Sequence, residues 1–397
     1  MFSNLISRLH LDIRATKHVA ELHEYARGLF YMDPPRAQDV GEKVDPWQPI
    51  RDRDPGKTKW QVYDHCASLT RLYAVYSIFV DELVSEYLRI LPELYETYDQ
   101  LPEAILNQHR TGFGQILLKL GGTGPYRHLR EIDIISQLSH GLSGGRPYAL
   151  LNDAFFVDRQ NYRSDVLGKL LGYLGVTNVC SNIARHPNMK AFLSERIGDA
   201  ATFESELNGF VKLRNEAAHG QVGQVLGISQ FQAVADFLAL LCEILAEMLT
   251  RALHTRKAIL GQFVELGTVI EVHHSGKVAI VKMKPIAIVA GEEIVLFRDG
   301  NPRFDRVVSL QVEDIGSAQV VANDGQELGV ALTQKCKVGD LLGRIGSAVA
   351  EQTALFDPEE LQTRVPILSE VDDSSVLDEV QSRDASDEEE PGTPNID

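Results

Sequence analysis

The stretch LNGFVKLRNEAAHG, residues 207–220, decides how this chain is read. Its first part, about 202–215, has the spacing of an amphipathic helix. Beyond it, from Ile228 to about Leu253, apolar residues fall on nearly every face: Phe231, Val234, Phe237, Leu238, Leu241, Leu245 and Met248. A helix of that kind is expected to be buried and central. Arg214, Asn215 and His219 therefore stand at the foot of the most hydrophobic segment. Arg-x-x-x-x-His alone arises about 0.8 times by chance at this composition, and about 0.02 times once Asn must follow the Arg. On an α-helix Arg214 and His219 diverge by about 140°, whereas Asn215 and His219 differ by about 40° and share a face. The long arginine stem can fold round toward them. The plainer alternative is that Arg214 and His219 only cap and solvate a helix end.

Working outward, residues 1–31 have helical spacing, with Leu5, Leu9, Ile13, Val19 and Leu22 as the apolar stripe. Residues 33–56 are rich in Pro, Asp and Gly and are expected to form a long surface loop. A second helix is expected from about Trp60 to Leu91, with Leu69, Leu72, Tyr73, Tyr76, Phe79, Val80, Leu83 and Tyr87 on one face. Between 111 and 165 the pattern is broken by GGTG and LSGG, which suggests short helices and loops. A further helix, DVLGKLLGYLG, ends at Gly175, with Asn161 and Tyr162 in the loop before it.

At Gly261 the pattern changes. TVIEVHHSGKVAIVKM alternates about a Ser-Gly turn, as a hairpin does. Further strand-and-turn segments follow to Ile345, and about six short strands suggest a small closed barrel. The chain then ends in an acidic tail. From Glu370 to Asp397 eleven acids face one arginine, leaving −7 of the total charge of −17 for the rest. Such a tail cannot bury enough apolar surface to fold alone. The expected fold class is a multidomain α plus β chain: an all-α domain over 1–258, a small β-barrel over 262–346 and a disordered acidic tail over 347–397.

The acidic total argues against broad nucleic-acid binding, but a mildly acidic body can hold a local basic site. No apolar run approaches the length of a membrane span, and the N-terminus lacks a secretory signal pattern. Four scattered cysteines, Cys66, Cys180, Cys242 and Cys336, form neither a metal-spaced pair nor a disulfide framework. A reducing, cytoplasmic setting without membrane contact is expected.

The chemistry suited to Arg214, Asn215 and His219 is phosphodiester cleavage in RNA. A histidine can take the proton from a ribose 2′-hydroxyl. A guanidinium can hold the phosphate bidentately and stabilise its developing charge. Asn215 can orient the histidine or the phosphate. The route needs no metal and no cofactor, and it leaves a 2′,3′-cyclic phosphate. One copy gives a sparse site; two copies across a two-fold axis bring two arginines and two histidines into one cleft, so a homodimer is expected.

LNGFVKLRNEAAHG before a long apolar helix resembles the HEPN superfamily, whose members carry Arg-polar-x-x-x-His at this place. LYAVYSIFVDELVSEYL resembles that family's long second helix, and RQNYRSDVLGKLLGYLGV a segment of its ribonuclease-like branch in prokaryotic defence loci. The resemblance implies an α-helical dimeric endoribonuclease, used against phage or as a toxin, with Arg214 and His219 catalytic and Asn215 the polar partner. Many relatives carry a glutamate two residues before the aromatic of the second helix; here Ser77 precedes Phe79, so Asp81 or Glu82 would have to substitute. The C-terminal strands resemble domain 2 of translational GTPases such as elongation factor Tu. That implies contact with tRNA, the ribosome or a partner protein; an antitoxin or a component of the translation machinery is the expected partner. The rival to an enzyme is a non-catalytic HEPN binding or scaffold protein.

Several patterns are decoys. PGKT at 55–58 lacks the first glycine of a phosphate loop, because Arg51 stands there. GFG at 112–114 lacks its third glycine, with Leu117 in that place. His273 and His274 would point to opposite faces of a strand. His18 and His23 are expected on the surface, and Cys66 and Cys242 in the core.

Overall fold

A computed structural model describes residues 2–31, 52–120, 125–157, 161–196, 201–298, 301–313 and 315–345. Most of the expected loop at 33–56 and all of the acidic tail beyond 346 lie outside them. Among the described residues there are nine α-helices, followed by nine strands.

Helix α1 spans Ser3–Phe30 and packs on α2, Lys57–Leu94. All eight apolar residues expected on the inner face of α2 are buried. The expected stripe of α1 needs correction. Leu9 and Ile13 are buried, but Val19 and Leu22 are 50% and 61% exposed. The buried face continues instead through Thr16, Arg27 and Phe30. Thr16 satisfies its hydroxyl on the Asp12 carbonyl at 2.7 Å, and Arg27 pairs with Asp64. Two polar residues thus hold inward positions because their groups are bonded there.

The region expected to be short and broken contains α3, Glu103–Lys119, and α4, Glu131–Leu142. Helix α3 runs straight through GFG. A Cβ on Gly112 would lie 1.9 Å from the carbonyl oxygen of Ala154, so this glycine lets the helix rest on the short turn Asn152–Phe155. Helices α5, Ser164–Tyr173, α6, Val179–Arg185, and α7, Pro187–Arg196, follow.

Helix α8, Phe203–Ala218, begins at a capping box: the Thr202 hydroxyl accepts from the Ser205 N–H and the Ser205 hydroxyl from the Thr202 N–H, each at 3.1 Å. It ends at His219 and Gly220. The Gly220 N–H donates to the Ala217 carbonyl at 3.3 Å, and the Gln221 N–H to that of Glu216 at 3.0 Å. This is a Schellman ending, and the φ of +70° at Gly220 supplies the left-handed residue it requires.

Helix α9, Ile228–Ile259, buries Phe231, Phe237, Leu238, Leu241 and Leu245 but is not enclosed on every side. Asp236 and Glu243 lie half-buried toward α1 and meet its Lys17 and His10 at 2.8 and 2.7 Å, and Glu247 is exposed. The most enclosed helix is α2, which packs on α1, α8 and α9.

The strands are β1 Val264–His273, β2 Val278–Met283, β3 Ala287–Val289, β4 Glu293–Arg298, β5 Asn301–Val312, β6 Ile315–Ser317, β7 Gln319–Val321, β8 Glu327–Leu332 and β9 Leu341–Arg344. Six close into an antiparallel barrel in the order β4-β9-β1-β2-β8-β5, with β5 returning to β4. That is the architecture the strand-and-turn pattern predicts. Its core, including Leu266, Val281, Ile294, Leu310, Val330 and Leu342, is separate from the helical core. His273 ends β1, and His274 has left the strand for the hairpin turn with φ of +46°. Where α9 meets the barrel, the His254 ring lies 5.9 Å from that of Phe304. Cys242 is buried as expected, whereas Cys66 is half-buried; His18 is exposed, but His23 bonds Asp64 at 3.0 Å.

Candidate functional site

Three elements meet around Arg214. Helix α8 supplies Arg214 and Asn215, α2 supplies Tyr73 and Ser77, and the loop before α5 supplies Asn161 and Tyr162. The Arg214 guanidinium carbon sits over the Tyr73 ring, 3.5 Å from its centroid, a close cation–π contact. Its Nη1 donates to Asn215 Oδ1 at 3.0 Å. Asn161 Nδ2 donates to the same oxygen at 3.1 Å. The Tyr73 hydroxyl donates to Asn161 Oδ1 at 3.3 Å and accepts from the Tyr162 N–H at 3.1 Å. The buried Tyr76 hydroxyl donates to the Tyr162 carbonyl at 3.1 Å. Burial pushes the Tyr76 phenol well up, so it stays a neutral donor.

An open groove lies here. Besides Arg214, Tyr73 and Asn161, its walls include Ser77, Arg163 and Asp165. Arg163 and Asp165 are exposed at the start of α5. Neither of the expected substitutes for a glutamate on α2 lines this groove. Asp81 accepts a hydrogen bond from the Tyr162 hydroxyl, and Glu82 pairs with Arg8 of α1. The acid in the groove wall is Asp165, from a different element.

Of the three sequence candidates, Arg214 and Asn215 are brought into direct contact. His219 is exposed at the end of α8, one turn beyond Asn215; of the three, only Arg214 lines the groove, with Asn215 behind it as its hydrogen-bond partner. The loop after it is tethered to α2: the Leu226 N–H donates to His65 Nδ1 at 3.3 Å. Burial lowers the His65 pKa, which favours the neutral ring this bond requires.

Sequence patterning missed Tyr73 as a site residue because its place on the apolar stripe of α2 made it look like core. Asn161 and Tyr162 were visible only as a polar loop. Among the described residues no three His, Cys, Asp or Glu side chains are grouped to hold a metal ion, and no helix is long and apolar enough to cross a membrane.

The profile of the MAE_28990-like HEPN family matches residues 36–257, more than half of the chain. The chain belongs to the HEPN family. No curated protein matches it. The HEPN match spans α2 to most of α9, and so contains both the groove and the Arg214–His219 motif. The β-barrel lies beyond it, as an addition to the HEPN region.

Proposed function

We propose that this HEPN protein is a metal-independent endoribonuclease acting as a homodimer. Arg214 binds and neutralises the scissile phosphate, Asn215 assists it, and His219 takes the proton from the attacking 2′-hydroxyl. The observation that carries this is the arginine held over Tyr73 beside Asn215 at an open groove, with an exposed histidine one turn further along the same helix. A second copy across a two-fold axis would bring a further histidine to the cleft. The barrel suits the docking of tRNA or a translation component, and an antitoxin is a fitting regulatory partner for such an activity in prokaryotic defence.

The test is cleavage of total tRNA in the presence of EDTA. The unmutated chain should cut, and His219→Ala should cut at least about 100-fold more slowly. Equal cleavage by both proteins would refute the proposal.

One observation favours a second reading, in which this HEPN protein binds RNA or a partner without cutting. Ser77 stands where many relatives carry a glutamate, and Asp81 and Glu82 are engaged elsewhere. That reading expects RNA to bind the unmutated chain and to remain intact.

A further inference from the structure

Asn215 Oδ1 accepts from Arg214 Nη1 at 3.0 Å and from Asn161 Nδ2 at 3.1 Å. A carbonyl oxygen has two lone pairs, so both are used. The amide cannot be turned round, because arginine has only donors and would then face the Asn215 NH₂ group. What remains for a ligand is Nδ2, a donor. The Asn215 side chain therefore cannot orient the His219 ring by accepting its N–H.

Tyr73 fixes the other half of the arrangement. With the guanidinium carbon 3.5 Å from the ring centroid, a steeply tilted group would press a nitrogen into the ring, so the two planes lie close to parallel. The covered face is closed to ligands, and the guanidinium edge carries the remaining N–H donors. The Tyr73 hydroxyl meanwhile holds the Asn161 side chain at 3.3 Å and the Tyr162 N–H at 3.1 Å. One side chain thus sets the plane of Arg214 and, through Asn161, the direction of the Asn215 amide.

We infer that Tyr73 and Asn161 are positioning residues that make Arg214 and Asn215 a paired donor site for one phosphate of an RNA strand. This rests on the reading of the groove as an RNA site. The contrasting role for the same contacts is a structural clasp between α2, α8 and the loop before α5.

A double-mutant cycle on RNA binding separates the two. The probe is a fluorescein-labelled, 2′-O-methylated single-stranded RNA of mixed sequence, which has no 2′-hydroxyl and cannot be cleaved. Tyr73→Leu should weaken binding about tenfold in the otherwise unmutated chain and less than about twofold in an Arg214→Ala background. Tyr73→Phe keeps the ring, loses both hydroxyl bonds and should cost about threefold. If Tyr73→Leu does not fold, Tyr73→Phe carries the cycle. Asn215→Asp keeps an acceptor for Arg214 and Asn161 but replaces the remaining side-chain donor with negative charge. It should cost about tenfold or more in binding with little change in melting temperature.

Equal losses from the Tyr73 variant in both backgrounds would show a clasp and overturn the positioning role. Asn215→Asp binding as well as the unmutated chain would overturn the donor assignment. If the unmutated chain neither binds this RNA nor cuts tRNA, the ribonuclease reading itself fails and takes this inference with it.

Discussion

The backbone N–H of His219 donates to the carbonyl of Asn215 at 3.1 Å, so the histidine begins one helical turn beyond the asparagine. The contact is the last turn of α8, and it places His219 where its side chain is exposed rather than packed.

His219→Ala should therefore leave unfolding free energy within about 0.5 kcal/mol of the parent, as exposed substitutions do. Arg214→Ala uncovers Tyr73 and should cost about 1 kcal/mol. Urea unfolding of both variants checks this. A larger loss from His219→Ala than from Arg214→Ala would contradict the placement.

Gly220→Ala puts a side chain at a φ of +70°. It should destabilise by about 1 kcal/mol, and Gly220→Asn by less, because asparagine tolerates the left-handed region better. Equal stability of the alanine variant and the parent in urea would exclude the Schellman ending of α8.

His109 is buried, with Nδ1 2.8 Å from the Tyr98 hydroxyl and Nε2 accepting from the Leu151 N–H at 3.0 Å. Nε2 is thus unprotonated and Nδ1 carries the proton. Burial first, and then the Arg110 charge, lower its pKa from 6.5 to about 4. His254 is lowered to about 4 as well, by burial first and then by Lys257. Between these limits the unfolded chain binds protons that the folded chain does not. Stability should fall as pH drops from about 6.5 to 4, with His109 contributing on the order of 2 kcal/mol. Urea midpoints across this range test it, with His109→Gln expected to flatten the slope. An unchanged slope in that variant would remove His109 from the account.

Gly112→Ala would place a methyl group 1.9 Å from the Ala154 oxygen. Backbone must move, so a loss of about 2 kcal/mol or more is expected. A melting temperature unchanged from the parent would show that α3 does not press on residues 152–155.

In the barrel, Asp340 is 2% exposed and takes two bonds from Arg298, at 2.9 and 2.6 Å, and one from the Lys337 N–H at 2.9 Å. Burial pushes its carboxyl up, but Arg298 and the Lys337 N–H outweigh this and hold it below the usual range. Its contribution is present above the ordinary carboxylate pKa and is lost as pH falls through the lower folded value. Asp340→Asn removes the buried carboxylate charge that Arg298 donates to and should cost about 2 kcal/mol at neutral pH. Neutrality of that substitution in thermal unfolding would show that the pair is not needed.

Much of the fold was legible because it is local. The inner face of α2 follows from helical periodicity, and the barrel strands from their alternation and turns. Val19 and Leu22 were placed inward on hydrophobicity alone, but Thr16 and Arg27 take the inner face because their polar groups are bonded there. GFG was set aside as an incomplete glycine motif; Gly112 serves close packing in mid-helix.

By itself the sequence determined that Arg214 and Asn215 stand on one amphipathic helix with His219 close beyond them, because helical periodicity is local. Only the tertiary structure decided what those residues meet. Tyr73 lies 88 positions from Asn161, and Asn161 54 positions from Asn215. Periodicity marks which side of each helix is buried, but not which buried sides face each other. That choice belongs to the packing of the whole helical core, and it turned a tyrosine of the apolar stripe into the support of the arginine.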